Sequence, residues 1–263
     1  MYYRFSVDDN IWFLRDLSRG DYTSLFDHPY LTLYKDLHDR YGAKFQLNIY
    51  YETDGFDLSQ MTDRYKSEWI SNSSWLRLSF HARADAPPVP YMESSYEEAF
   101  KDCSAVHKEI IRFAGEETLD RYTTIHYCQA SKDALKGFKD AGILGLVGLF
   151  EPGRYCYNLC YDQFSEPYKY DPDSGLFYFV NDMIVNLFPL ESIIPLLEKV
   201  KDKKFIEVMI HEQYFYDYFH MYQSDFADKV EACIKYFTDC GRASVFLDEL
   251  IDKSLITESK PTH

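Results

Sequence analysis

The chain switches repeatedly between two hydrophobic periods. Residues 2–9 read as a strand, and residues 43–51 and 75–81 alternate apolar and polar side chains with the period of a strand. The stretches between them keep helical spacing. Residues 28–41 carry Leu33, Leu37 and Tyr41 on one face with Gly42 as the stop, and a further helix is expected at about 60–72. Residues 94–114 open on Ser94 and Ser95 as N-caps, present Phe100, Cys103, Val106 and Ile110 on one face, and end at Gly115. A strand at 122–128, a helix at 131–141 closed by Gly142 and a strand at 143–150 follow. Segment 153–180 is irregular and tyrosine-rich, with short strands expected at 155–161 and 176–181. A helix at 190–201, built on Leu190, Ile194, Leu197 and Val200, precedes a strand at 204–210. The remainder reads as mostly helical to about 251, before a polar tail at 256–263.

Strand–helix alternation predicts a parallel sheet with helices outside it. At least six such units favour an α/β fold of the (β/α) barrel type, complete or distorted, as a single domain over 1–255. No glycine-rich phosphate fingerprint follows the first strand, which argues against a dinucleotide-binding sheet. The one proline cluster, Pro87-Pro88-Val89-Pro90, falls in a loop after the third strand and separates no halves.

Composition narrows the function. An apolar share of 46% and an aromatic share of 18% over 263 residues argue against disorder and allow a sizeable core. Tyrosine, with 24 copies, suits half-buried packing and also wet clefts such as those that hold sugars. A net charge of −15 repels phosphate backbones and anionic membrane surfaces, so neither nucleic acid nor membrane is an expected partner. Of the six cysteines only Cys156 and Cys160 are close in sequence, too few for a cysteine zinc motif. No apolar run approaches the ~20 residues of a membrane span. No basic segment leads into an apolar one at the N-terminus, so reduced cysteines and a cytoplasmic location are expected.

In a (β/α) barrel the chemistry lies at the C-terminal strand ends. Those ends read Asp8 and Asp9, Tyr51 and Glu52, His81, His126, Glu151 and His211. Two adjacent carboxylates repel unless a cation, a proton or a strong donor lies between them. Carboxylate and neutral imidazole are ordinary ligands of first-row divalent ions, and three such ligands with an open position suit hydrolysis. A local alternative makes Asp8 and Asp9 the cap of a helix opened by Ile11-Trp12-Phe13-Leu14. Trp12, Trp69 and Trp75 fit core packing better than sugar stacking.

With these residues the chain resembles the polysaccharide deacetylases of the nodulation-protein type, carbohydrate esterases on a distorted (β/α) barrel. Their first motif, Thr-Phe-Asp-Asp-Gly, stands here as Ser6-Val7-Asp8-Asp9-Asn10. The resemblance implies Asp8 as general base and Asp9 as a metal ligand. Their His-Ser/Thr-x-x-His motif reads His81-Ala82-Arg83-Ala84-Asp85, which implies His81 as a ligand and Asp85 in the place of the second histidine. Met209-Ile210-His211 matches the strand whose histidine is the general acid. The family's Arg-x-Pro-Tyr motif is absent, and Ile125-His126-Tyr127-Cys128-Gln129 occupies its place. His126 is then a further ligand or substrate contact, as is Tyr51, and Asp182 is the candidate for the acid of the family's tryptophan motif. The resemblance implies a divalent metal, zinc first, then cobalt, nickel or manganese. It implies removal of acetyl groups from N- or O-acetylated sugars. The alternative, motivated by the missing motif, is a non-catalytic barrel that binds a carbohydrate or a protein.

Overall fold

The structure is a computed structural model; it describes all residues but 152, 154, 161–166 and 259–263, and the side chains of all these but 253–258. Strand β1 (Tyr2–Asn10) is followed by α1 (Trp12–Arg19) and α2 (Pro29–Tyr41). Then come β2 (Phe45–Tyr50), α3 (Lys66–Asn72), β3 (Leu76–Ala82), α4 (Tyr96–Phe113), β4 (Tyr122–Thr123), α5 (Lys132–Asp140) and β5 (Gly145–Gly148). The chain continues through β6 (Leu176–Val180), β7 (Met183–Ile184), α6 (Leu190–Lys199) and β8 (Phe205–His211). It closes with α7 (Phe226–Asp239), β9 (Ala243–Ser244) and α8 (Leu247–Glu258).

The strands are parallel and run β7-β8-β1-β2-β3 in one sheet, with β9 beside β1. A second sheet carries β6, β5 and β4, also parallel, with a short antiparallel strand at Lys169–Asp171 on its edge. Asn181 and Asp182 carry the chain from β6 in one sheet to β7 in the other, so β6 and β7 close one side of the barrel. On the other side β3 and β4 share no ladder. A single bridge pairs Leu78 with Leu119, and the Ser79 and Thr123 hydroxyls donate across the seam to the Asp120 and Phe80 carbonyls. This is a distorted (β/α) barrel, as the alternation predicted.

The alternation itself has an unusual cause. Apolar/polar strands ordinarily place one face in water, yet β2 is buried along its whole length. Its polar positions, with those of β1 and β8, fill the barrel axis. Arg4 pairs with Glu207, which also accepts from Ser6, and Gln46 donates to Asn48, which donates to Asp8. The apolar positions pack outward on the helices, as Tyr3 does in stacking on Phe237 of α7.

Several boundaries differ from the pattern. The strand expected over 122–128 keeps only Tyr122–Thr123, because the chain then turns through His126–Cys128 with Tyr127 and Cys128 in the left-handed region. The strand expected at 155–161 is a two-residue rung, Tyr155–Cys156 against Leu159–Cys160, and residue 161 lies outside the described residues. At the C-terminus helix reaches Glu258, and 259–263 of the expected tail lie outside the described residues. No disulfide joins any of the six cysteines among the described residues. Among the described residues no helix is long and apolar enough to cross a membrane.

Candidate metal centre

Asp9, His81 and His126 come together at the C-terminal ends of β1 and β3 and in the turn after β4. One ligand atom from each lies within 4.8 Å of the others, and all three are buried. Irregular backbone places each of them. Between Val7 and Asn10 the β1–β2 register gains a residue, and Asp9 takes φ 63°. Such a bulge re-aims a side chain, so two successive acids can serve one site where a regular pleat would point them to opposite faces. The β2–β3 register shifts in the same way around His81, and His126 enters the left-handed turn just described.

Carbonyls fix both imidazoles. His81 Nδ1–H donates to the Thr124 carbonyl at 2.5 Å and His126 Nε2–H to that of Asp85 at 3.3 Å. His81 Nε2 and His126 Nδ1 are thereby turned on Asp9 Oδ1, at 2.9 and 3.3 Å, and on each other at 3.2 Å. Three acceptors this close need a positive charge among them. Two neutral rings held by carbonyls and one carboxylate are the donor set of a divalent ion. Burial works against the charge on Asp9, but His211, His126 and His81 outweigh it and hold the carboxyl well below its ordinary range. Burial also disfavours a charged His81, yet Asp8 and Asp9 raise it.

Around the triad stand the other candidates. Asp8 is beside His211 in the β1–β8 register, fully buried, with Oδ1 accepting from Asn48 and Oδ2 without a hydrogen-bond partner. Burial raises its carboxyl, partly offset by His81 and His211. An orphaned buried oxygen one residue from the triad fits a group that faces a bound ion or its water. His211 Nδ1–H donates to Asn186 Oδ1 at 2.8 Å, leaving Nε2 free at the cavity.

Three expected site residues are placed otherwise. Asp85 lies outside the triad: its side chain is 77% exposed, with Oδ1 3.6 Å from His126 and 3.4 Å from the Tyr50 hydroxyl, and its backbone carbonyl accepts from the His126 ring. His126 occupies the third ligand position instead. Asp182 is bound to Lys203 at 2.6 Å and to the Glu207 amide at 3.0 Å, four residues before His211 on β8, about 13 Å below the strand end. Tyr51 turns away under Arg83, whereas Tyr50 reaches the site; its hydroxyl lies 2.5 Å from Asp9 Oδ1 and 3.0 Å from His126 Nδ1. Burial first, then Asp9, raise the Tyr50 hydroxyl well above its ordinary value, so it is a proton donor. The inward parity of Gln46 and Asn48 on β2 is the signal that selects Tyr50. No sequence signal marks Asn186.

Nor do Asp8 and Asp9 cap α1. Ile11 is the N-cap and has no side-chain bond; Glu212, next to His211, accepts the amides of Ile11, Trp12 and Phe13 at 2.6, 2.9 and 2.7 Å. Above the centre lies a cavity of about 710 Å³. Its lining includes the aromatic rings of Trp12, Tyr214 and Phe219, the acids Glu52, Asp54 and Asp85, and the imidazoles of His211 and His220. Trp69 and Trp75 are core residues.

The fold is one found among carbohydrate esterases. A family 4 acetyl xylan esterase from Clostridium thermocellum, crystallised with a cobalt ion, superposes with a TM-score of 0.56 at 12% identity, over 96% of this chain and 91% of that one. The 4-alpha-glucanotransferase of Thermococcus litoralis gives a TM-score of 0.62 at 11% identity, over 96% of this chain and 40% of that one. BA3943, a family 4 pseudoenzyme from Bacillus anthracis, gives 0.50 at 10% identity, over 92% of this chain and 63% of that one. No protein-family model matches the sequence, and no curated protein does. The fold is thus that of the family 4 polysaccharide deacetylases over nearly the whole chain, at identities that speak for fold alone.

Proposed function

We propose that the chain is a metal-dependent hydrolase that removes acetyl groups from N- or O-acetylated sugars. The buried Asp9–His81–His126 triad, flanked by Asp8 and His211 on this fold, carries the reading. A divalent ion held by these three residues, zinc or cobalt by donor type, would polarise an acyl oxygen and acidify a water. Asp8 is the base: its unpartnered Oδ2 takes the water's proton while Asn48 holds Oδ1. His211 gives the proton from Nε2 to the departing nitrogen or oxygen, its ring fixed through Nδ1 on Asn186.

The cavity supports a sugar. Trp12, Tyr214 and Phe219 offer apolar faces, and no lysine or arginine is among its described lining residues. Glu52, Asp54 and Asp85 disfavour anionic sugars and tolerate the ammonium that N-deacetylation leaves.

Acetate release from acetylated chito- and xylo-oligosaccharides, measured after loading with zinc or cobalt, tests the reading. Turnover is expected in the wild type and its loss in Asp9→Ala and His81→Ala; a metal-loaded protein that releases no acetate from either class sinks it. One observation favours a second reading. His211 is paired with the neutral amide of Asn186 rather than a carboxylate, and the fold also serves a pseudoenzyme. Binding of the same oligosaccharides without acetate release, unchanged by metal, would support a non-catalytic sugar-binding barrel.

A further inference from the structure

We infer that Tyr50 is the positioning residue of the metal centre, the donor that holds Asp9 in its ligating pose. This rests on the reading of Asp9, His81 and His126 as ligands. Four polar atoms meet at the mouth of the barrel: Asp9 Oδ1, His81 Nε2, His126 Nδ1 and the Tyr50 hydroxyl. The two ring nitrogens have their protons committed on the far side, to the carbonyls of Thr124 and Asp85. With both rings neutral, as a bound ion requires, the phenol alone of the four brings a proton to the meeting point, and the carboxylate is the strongest acceptor there.

Everything about Tyr50 fixes that donor in place. It ends β2 at the position where the register against β3 shifts, one residue beyond Ile49. Its ring is 1% exposed and packs at 5.2 and 5.3 Å from the imidazoles of His81 and His126. The hydroxyl therefore reaches Asp9 Oδ1 at 2.5 Å, while the second carboxylate in range, that of Asp85, stands farther off at 3.4 Å. Asp9 needs such a restraint. It occupies the left-handed region inside a bulge, where the ladder does not hold its backbone and its carboxylate direction is left to side-chain partners. Hydrogen-bonded carboxylate ligands are the rule in metal sites, and loss of the partner weakens the metal about 10- to 100-fold.

The test is Co(II) binding to the full chain, followed by the visible absorption of the bound ion, with Tyr50→Phe beside the wild type. The variant should bind about 10- to 100-fold more weakly with an unchanged spectrum, because the three ligands remain. Its metal-free thermal midpoint and circular dichroism show whether the fold is kept; Tyr50→Met, equally without a hydroxyl, serves if the phenylalanine variant does not fold. Equal affinity in wild type and variant overturns the role of Tyr50 and leaves the triad standing. A spectrum altered in shape overturns it too, since the phenol would then be a ligand itself. A wild type that binds no Co(II) overturns the triad, and the role of Tyr50 with it.

Discussion

Glu212 shows how much one side chain can fix. Its carboxylate takes three successive amides at the start of α1, directly after the bulge that aims Asp8 and Asp9, and it adjoins His211. Glu212→Ala leaves the buried amides of Ile11 and Phe13 unpaired, and a loss of about 3 kcal/mol is expected in urea unfolding. Asp85→Ala should bind Co(II) as the wild type does, since a backbone carbonyl orients His126, while Asp9→Ala should not bind; calorimetric titration separates the two. At this scale the sequence exposes residues whose strand ends are regular in pattern. Asp8, Asp9, His81 and His211 are legible from alternation that stops in an acid or a histidine. Tyr50 is hidden behind Tyr51 because a one-residue change of parity moves a side chain to the other face. Glu212 and Asn186 are hidden because their partners, the amides of Ile11 to Phe13 and the ring of His211, are about 200 and 25 residues away in the chain.

Among the elements, helices are the better read. An N-cap serine announces α4 and a glycine stop announces the end of α2, and Ser95 and Gly42 perform those roles. β4 is poorly read because its apolar run continues into a turn whose left-handed residues leave no glycine to mark it. The packing of α4 on α5 hangs on Gly137, where a β-carbon would lie 2.5 Å from the Tyr96 carbonyl. Gly137→Ala, which in an open helix would help, should here cost about 2 kcal/mol, visible as a lower thermal midpoint. α4 also carries His107, buried, with its ring pushed down to about 4 by burial. Between pH 6.5 and 4 the unfolded chain therefore binds the proton that the folded chain refuses. Stability is full above pH 6.5 and falls by up to about 3 kcal/mol toward pH 4. Unfolding free energies measured across that range should flatten in His107→Gln.

For the whole molecule, the polar axis is the unusual choice. Arg4 and Glu207 are both buried, and burial raises the Glu207 carboxyl to about 8 in spite of Arg4. Removing one partner is costlier than removing both: Arg4→Met should destabilise by about 3–5 kcal/mol, and Arg4→Met with Glu207→Leu by less, a comparison that chemical denaturation makes directly. The barrel class was legible from the sequence because at least six strand–helix units repeat one pattern; its open side was not, because no residue type marks a missing ladder. That open side has a consequence in time. β4 has a two-residue ladder with β5 and only a single bridge toward β3, so this flank is the place for the native barrel to breathe. His81 stands on one bank of the gap and His126 on the other. Whatever both imidazoles hold acts as a clasp, and mass spectrometry of deuterium uptake should show protection rising on this flank with Co(II) while the β1–β8 flank stays as it was.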